Sequence, residues 1–240
     1  MAELVYDNTG RLLFTKEMKE EYTLLVPQML PMHFAMLVRV IQTMGYKVEM
    51  LNTSGKSILD YGQKYVHNDA CFPAILVIGQ LIDAVKSGKY DPHKVALVIT
   101  QTGGGCRASN YIHMLRKALE KADLAFVPVI SVNLSGLEKN PGFSLTLPFI
   151  RKALYAVFYG DLLMNVSNQV RPYEVNPGDT DRAIRVCMDF LLDDMGRGKG
   201  MSYKSMIANF DRIIDRFQAI PVAGEPKVRV GVVGEIGRDT

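Results

Sequence analysis

Short apolar runs rich in β-branched residues alternate along the chain with longer segments of helical periodicity. The runs at residues 22–26, 47–51, 95–100, 127–132 and 228–233 are predicted to be strands. Helices are predicted at residues 32–44, 57–66, 72–87, 107–122, 147–170, 180–195 and 203–218. Because such alternation favours a parallel sheet covered by helices, we expect an α/β fold. Its sheet should be open, mainly parallel and Rossmann-like, with helices on both faces and a helical C-terminal part.

The same pattern divides the chain into three parts. Residues 1–145 are predicted to form an α/β domain, residues 146–226 a helical segment, and residues 227–240 the start of a further strand. A polar turn at residues 7–10 predicts a hairpin near the N-terminus. The last part indicates either a truncated further α/β domain or a terminal strand that closes the sheet.

Composition and charge exclude several classes of protein. The 240 residues are 48% hydrophobic and 22% charged, which is typical of a globular chain and not of a disordered, collagen-like or coiled-coil one. The net charge of +3 is spread without a polybasic block, so we expect no nucleic-acid partner. No signal peptide or membrane span is recognisable, and we therefore expect a cytoplasmic protein without a membrane partner.

Ligands of open parallel sheets bind beside the carboxyl ends of the strands, so the loops that follow the strands are the candidate sites. The loop at residues 52–57 ends in Gly-Lys-Ser, but Met50 stands where a phosphate-binding loop requires glycine. The loop at residues 101–106 contains three consecutive glycines, Gly103, Gly104 and Gly105. Their amides could approach a phosphate or an anionic metal cluster. The segment 103–108 also meets a dinucleotide fingerprint, although the next strand ends without an acidic residue.

The chain has three cysteines, too few and too scattered for a disulfide framework. Cys71 and Cys106 each precede a predicted helix, and a helix N-terminus favours the thiolate that binds metals. Cys187 lies on the apolar stripe of the helix at 180–195 and is predicted to be a core residue. Metal ligation and inert burial both remain open for Cys71 and Cys106. A third ligand would be Cys187, a group other than cysteine, or a residue of another chain.

Two histidines lie near the candidate cysteines. His67 is interpreted as a hydrogen-bonding residue at a helix end, and His113 as a solvent-exposed residue, since neither stands at the spacing of a zinc site.

Three segments resemble a known family. They are residues 66–74 around Cys71, residues 135–143, and the run Gln101-Thr102-Gly103-Gly104-Gly105-Cys106-Arg107-Ala108-Ser109-Asn110-Tyr111. They are similar to segments of the 2-hydroxyacyl-CoA dehydratase superfamily, above all its activase-related branch of CoA-substrate-specific enzyme activase-like proteins. The resemblance implies an iron–sulfur cluster, expected to be 4Fe–4S, with Cys71 and Cys106 as ligands.

The resemblance also implies a function. It indicates low-potential electron transfer for a reductive or dehydration reaction on a CoA thioester or a similar small substrate. The chain has no recognisable ATPase motif, so the electron donor would be an ATP-hydrolysing activase domain or chain. Residues expected to surround the cofactor are Gly103, Gly104, Gly105, Arg107, Ser109, Asn110 and Asn133.

Other functions remain open on the sequence. The cysteines could be structural in a CoA- or nucleotide-binding module, or the chain could be an inactive scaffold. Arg107 and Lys139 could offset ligand charge or lie in solvent, and Ser109, Asn110 and Asn133 could donate hydrogen bonds to the cofactor or cap the helix and loop. A homodimer is one way in which further ligands could be supplied.

Overall fold

The computed structural model describes residues 2–101, 110–133, 138 and 140–228. These residues form two compact units. The α/β unit contains the chain up to Met29 together with Tyr46–Leu145, and the helical unit contains Leu30–Gly45 and the helices that follow Thr146.

The α/β unit is built on a sheet of four parallel strands. They are β1 (Thr23–Val26), β2 (Lys47–Met50), β3 (Val95–Thr100) and β4 (Val129–Val132). The strand order is β2-β1-β3-β4, and in register Leu25 pairs with Leu97, which pairs with Val129. The direction in which strands are added reverses between β1 and β3, and this is where sheets of this kind open a crevice for ligands.

Eight α-helices lie within the described residues. They are α1 (Lys16–Glu21), α2 (Pro31–Gln42), α3 (Lys56–Tyr65), α4 (Phe72–Lys86), α5 (Tyr111–Lys121), α6 (Leu147–Val170), α7 (Asp179–Gly196) and α8 (Tyr203–Gln218). Helix α1 is capped by Thr15, whose hydroxyl accepts a hydrogen bond from the Met18 amide.

Both faces of the sheet are buried. Leu25 and Leu97 are fully buried and share one apolar cluster with residues of α4 and α5. Their neighbours Leu24 and Ala96 are also paired in register, point to the opposite face and are equally buried. Parallel strands buried on both faces have continuous apolar sequences, which is why these runs are recognisable as strands.

Helices α3 and α4 pack closely because glycine stands at two contact points. A β-carbon on Gly62 would lie 2.3 Å from the carbonyl oxygen of Ile75, and one on Gly79 would lie 1.9 Å from that of Ile58. A side chain at either position would force the helices apart. The two glycines thereby hold α4, and with it the start of that helix at Cys71.

The helical unit combines α2 with α6, α7 and α8. Helix α2 packs against α6 and α7, and the His33 ring lies against the backbone of α6 at Gly160. The buried Tyr159 hydroxyl donates a hydrogen bond to the Gly200 carbonyl at 2.6 Å and accepts one from Asn209 at 3.2 Å. The unit therefore has its own packed core.

The predicted α/β class with an open parallel sheet is confirmed. The strand at 95–100 and the helices at 147–170 and 203–218 have the predicted bounds, and the turn at 7–10 is closed by an antiparallel bridge between Tyr6 and Leu12. Helix α1 was not predicted, since it is a short charged segment with Met18 as its buried residue.

Two further expectations concern the chain ends and the membrane. The strand predicted at 228–233 lies outside the described residues except for Val228, which is exposed. Among the described helices, none has the length and apolar character needed to span a bilayer. The three-part division of the chain stays a prediction, and α2 groups with the helical unit.

Candidate functional site

The carboxyl ends of β3 and β4 are linked by buried polar side chains. The Ser131 hydroxyl donates a hydrogen bond to Gln101 Oε1 at 2.9 Å, and Asn133 Nδ2 donates one to Ser131 Oγ at 2.9 Å. Ser131 and Asn133 are both buried. The expected cofactor donor Asn133 therefore uses part of its side-chain amide to bind the end of β4 at Ser131.

The loops after β1 and β2 are joined by a single glutamine of α4. Gln80 is buried, accepts a hydrogen bond from the Gln28 amide at 2.9 Å and donates one to the Thr53 carbonyl at 2.7 Å. Because Gln80 is eight residues after Phe72, about 12 Å of helix precede this contact. The first two turns of α4, from Phe72 to the contact at Gln80, therefore extend past the loops that follow β1 and β2.

Cys71 is the N-cap residue of α4. Its backbone is extended, and its carbonyl accepts the first hydrogen bond of the helix, from the Ala74 amide at 3.0 Å. Proline in the first turn of α4 fits here because the amide it lacks has no partner within a helix. The side chain is partly buried and packs against the apolar cluster shared by α4, α5 and the sheet.

The Cys71 sulfur contacts the first residue of α5. Its Sγ atom lies 3.0 Å from the hydroxyl oxygen of Tyr111, within hydrogen-bonding distance. Tyr111 is itself buried, so its ring fixes the hydroxyl against the sulfur. The contact brings the N-termini of α4 and α5 together, and both helices present their positive ends near one thiol.

Most of the predicted glycine–cysteine loop lies outside the described residues. This applies to Gly103, Gly104, Gly105, Cys106, Arg107, Ser109 and Lys139. Asn110 is described: it is the exposed N-cap residue of α5, and its side chain makes no capping hydrogen bond. Ligation by Cys106 thus stays a prediction.

Three other side chains considered in the sequence analysis have contacts or positions of their own. His67 accepts a hydrogen bond from the Asp69 amide at 3.2 Å, and His113 is exposed. Lys56, in the Gly-Lys-Ser segment, pairs with Asp60 on its own helix at 2.6 Å. None of these three side chains contacts Cys71 within the described part of the chain.

Cys187 is buried in α7, as predicted. It is fully inaccessible, and its neighbours Ala183 and Leu191 on the same stripe are also buried. Burial raises the pKa of the Cys187 thiol to about 11, which disfavours the thiolate that a metal requires.

Glu138, which follows β4 in the chain, is the centre of an ion-pair cluster. Glu138 accepts two hydrogen bonds from Arg116, at 2.8 and 2.6 Å, and its Oε2 lies 2.9 Å from Arg11. Burial raises the pKa of Glu138, but its hydrogen bonds and charge pairs with the two arginines outweigh this, so the net pKa is lowered. Glu138 is therefore held as a carboxylate.

Sequence reasoning missed the roles of Tyr111, Gln80 and Glu138. Tyr111 was counted as part of an apolar stripe, although its hydroxyl is the part that contacts Cys71. Gln80 carried a visible signal, since a single amide side chain interrupts the apolar run from Phe72 to Ile82. Glu138 carried none, because its arginine partners are distant in sequence.

The described residues contain no group of three or more His, Cys, Asp and Glu side chains arranged to hold a metal ion. Among the described residues, Cys71 fits one ligand position of a cluster. It is a partly buried thiol at the start of α4, and the Tyr111 hydroxyl contacts its sulfur. Any fuller ligand set needs Cys106 or groups beyond those described.

Comparison with known proteins leaves the family open. Of the three segments that carry the resemblance, residues 66–74 alone lie wholly within the described ranges. The chain matches no model of a known protein family, no curated protein and no solved structure.

Proposed function

We propose that this chain is the iron–sulfur-cluster-binding component of a low-potential electron-transfer system. It would serve a reductive or dehydration reaction on a CoA thioester or a similar small substrate. Cys71 and Cys106 are the proposed thiolate ligands. The observation that carries the proposal is the position of the Cys71 sulfur, 3.0 Å from the Tyr111 hydroxyl at the start of the helix that follows the glycine–cysteine loop.

The surroundings of Cys71 suit a cluster thiolate. A sulfur at the start of one helix and beside the start of another gains from two positive helix ends. Hydrogen bonds to cluster sulfurs and restricted solvent access tune the reduction potential, and Tyr111 and the apolar cluster would supply these here. When bound, the cluster would supply one-electron transfer.

The neighbouring residues take supporting roles in this proposal. The amides of Gly103, Gly104 and Gly105 would face the anionic cluster, and Arg107 would offset its charge. Ser109 and Asn110 would donate hydrogen bonds around it, with Asn133 fixing the end of β4. These residues have no metal-binding role of their own.

The number of cluster ligands in one chain affects whether the protein would need a second chain to bind the cluster. A cluster held by four thiolates needs two ligands besides Cys71 and Cys106. Cys187 is a poor candidate because burial raises the pKa of its thiol to about 11. Groups other than cysteine, or the same two cysteines of a second chain, would complete the set, and the second option corresponds to a homodimer.

The proposal also names an electron donor and a cellular compartment. An ATP-hydrolysing activase domain or chain would deliver the electrons, as the resemblance to the 2-hydroxyacyl-CoA dehydratase superfamily implies. Low-potential clusters and unpaired cysteines are suited to the reducing cytoplasm, where we place the protein.

A second candidate is a CoA- or nucleotide-binding module with structural cysteines. The observation that favours it is the reversal of strand order between β1 and β3, where nucleotides bind in sheets of this type. Gln28 follows β1, and its Oε1 atom is buried and accepts no hydrogen bond from any described residue. A ligand amino group could satisfy it.

Anaerobic reconstitution with iron and sulfide separates the two candidates. If the chain binds a cluster, we expect broad absorbance at about 400 nm from sulfur-to-iron charge transfer. Cys106→Ala should lose this absorbance and keep an unchanged circular dichroism spectrum. The binding module expects no iron in either protein and nucleotide affinity that survives the substitution, because backbone amides would hold the phosphate.

A further inference from the structure

A groove runs along one face of α5, opposite the segment that joins α3 to α4. Its α5 wall is formed by Asn110, Met114, Lys117 and Lys121, which share a helix face, and its other wall includes Val66 and Ala70. We call it the α5 groove. Its volume is about 390 Å³, within the roughly 300–1,000 Å³ of small-molecule sites.

The two ends of the α5 groove differ in chemistry. Asn110 and Ala70 mark one end, because their chain neighbours Tyr111 and Cys71 touch there, hydroxyl to sulfur, at 3.0 Å. Lys121 marks the other end. Asn110 and Lys121 are eleven residues apart on a helix, which corresponds to about 16 Å.

The lysine end carries unneutralised positive charge. Lys117 and Lys121 are exposed and one helical turn apart, and neither has a carboxylate within salt-bridge distance in the described part of the chain. The ammonium groups of Lys64 and Lys86 lie 5.2 and 5.8 Å from the centre of the Tyr65 ring, another groove residue. Lysine is a common ligand of phosphate groups.

The middle of the α5 groove is apolar. Val66 and Met114 would be left uncovered by an inorganic anion, whereas a planar organic group would fill the space beside them. Asp69 in the same wall can accept hydrogen bonds from hydroxyl or amino groups and would repel a second anion. A ligand that complements the groove is anionic at one end and flat and apolar in the middle. It also carries hydroxyl or amino groups that can donate hydrogen bonds to Asp69.

We infer that the α5 groove binds a nucleoside phosphate, with its phosphates on Lys117 and Lys121 and its nucleoside beside Met114 and Val66. The bound molecule would extend toward Cys71. Asn110, which the proposed function places beside the cluster, lies at the Cys71 end of the groove, whereas Lys117 and Lys121 have no part in that proposal.

The test is calorimetric titration of the full chain with adenosine diphosphate, pyrophosphate and adenosine at low and moderate salt. Lys117→Gln/Lys121→Gln removes the proposed phosphate ligands. Lys94→Gln/Lys204→Gln is the control, since it removes the same charge from exposed positions outside the groove. Ala70→Leu narrows the groove without changing its charge.

We expect adenosine diphosphate to bind more tightly than pyrophosphate or adenosine. The groove lysine variant should weaken it by at least about tenfold, a loss of about 1.4 kcal/mol, with the control within about twofold of the parent chain. Ala70→Leu should weaken it as well. Salt should reduce the affinity of the parent chain and have less effect on the groove lysine variant.

Three results would overturn the inference. They are no binding of adenosine diphosphate to the parent chain, unchanged affinity in the groove lysine variant or in Ala70→Leu, and pyrophosphate binding as tightly as the nucleotide. Iron content after reconstitution should be the same in all lysine variants, so failure of this inference and failure of the cluster proposal are distinguishable.

Discussion

The sulfur of Cys71 and the hydroxyl of Tyr111 lie 3.0 Å apart, joining the N-cap of α4 to the first residue of α5. The two residues are 40 positions apart in the chain. Their contact is possible because Gly62 and Gly79 hold α4 against α3 while α4 and α5 share one apolar cluster. The contact makes Tyr111 the described side chain best placed to influence chemistry at the sulfur.

Tyr111→Phe should therefore alter the proposed cluster without unfolding the protein. A hydrogen bond to a cluster sulfur stabilises the more negative, reduced state, so its loss should make the midpoint potential more negative. Loss of one hydrogen bond should cost about 0.5–1.5 kcal/mol of unfolding free energy. A redox titration of the reconstituted protein measures the potential.

Tyr61→Phe is the matched control for this substitution, because Tyr61 stacks on Tyr65 and has no contact with Cys71 among the described residues. An equal shift of potential in both variants would show that the Tyr111 hydroxyl has no specific effect on the cluster.

Glu138→Gln should destabilise the protein and change its response to acid. The pKa of Glu138 is lowered from 4.5, so its contribution to stability is present above that pH and is lost as the pH falls through the lowered value. Removing the charge should cost roughly 2–4 kcal/mol at neutral pH, since Arg11 and Arg116 lose a largely buried partner. Urea unfolding between pH 3 and about 7 follows both effects.

Asp60→Asn is the control for Glu138→Gln. Asp60 pairs with Lys56, but both side chains are more than half exposed, so the loss should stay below about 1 kcal/mol. Similar losses in the two variants would mean that the Glu138 cluster contributes no more than a surface ion pair.

Cys187 should give the protein a stability that falls in alkali. Its thiol has a pKa raised from 9.0 to about 11 in the folded state, so its contribution is complete below pH 9 and is lost as the pH rises toward 11. Several buried tyrosines titrate in the same direction. The measured quantity is therefore the difference in slope between the parent chain and Cys187→Ala in urea unfolding from pH 8 to about 11.

Cys187→Ala should have a lower unfolding free energy than the parent chain at every pH. Its unfolding free energy should also fall less steeply as the pH rises from 8 to about 11. Identical slopes would contradict the assignment of a buried, protonated thiol. Alkylation offers an independent check, because Cys187 should react only after the protein unfolds.

Gly79→Ala should destabilise the α/β unit. The added β-carbon would lie 1.9 Å from the Ile58 carbonyl oxygen, so α3 and α4 must separate, at a cost of about 1–3 kcal/mol. Lys86→Ala tests the same helix at an exposed position and should change stability by less than about 0.5 kcal/mol. An unchanged unfolding free energy in Gly79→Ala would show that α3 and α4 are not held at contact distance.

The fold class could be predicted because the strands are buried on both faces and so form continuous apolar runs such as residues 95–100. The bounds of α6 and α8 followed from long periodic segments. Helix α1 could not be found in this way, since its six residues, five of them charged and one a buried methionine, show no period. The grouping of α2 with the helical unit depends on tertiary packing, which adjacent segments of sequence do not reveal.

The candidate site was predictable in its residue types and not in its geometry. Cys71 was recognisable as a helix-start thiol because capping residues and proline surround it. Its contact with Tyr111 was not, since the apolar stripe of α5 explains a tyrosine equally well. Glu138 shows the same limit, because Arg11 and Arg116 both lie well before it in the chain and no local pattern links them to it.

The most direct test of the central claim is the iron and sulfide content of anaerobically reconstituted Cys71→Ser beside Cys187→Ser. Serine is close in size to cysteine, and Cys71 is only partly buried, so the first variant should fold. We predict that Cys71→Ser loses bound iron, sulfide and the absorbance near about 400 nm, while folded Cys187→Ser retains them. Iron content in Cys71→Ser equal to that of the parent chain would contradict the proposal that Cys71 is a cluster ligand.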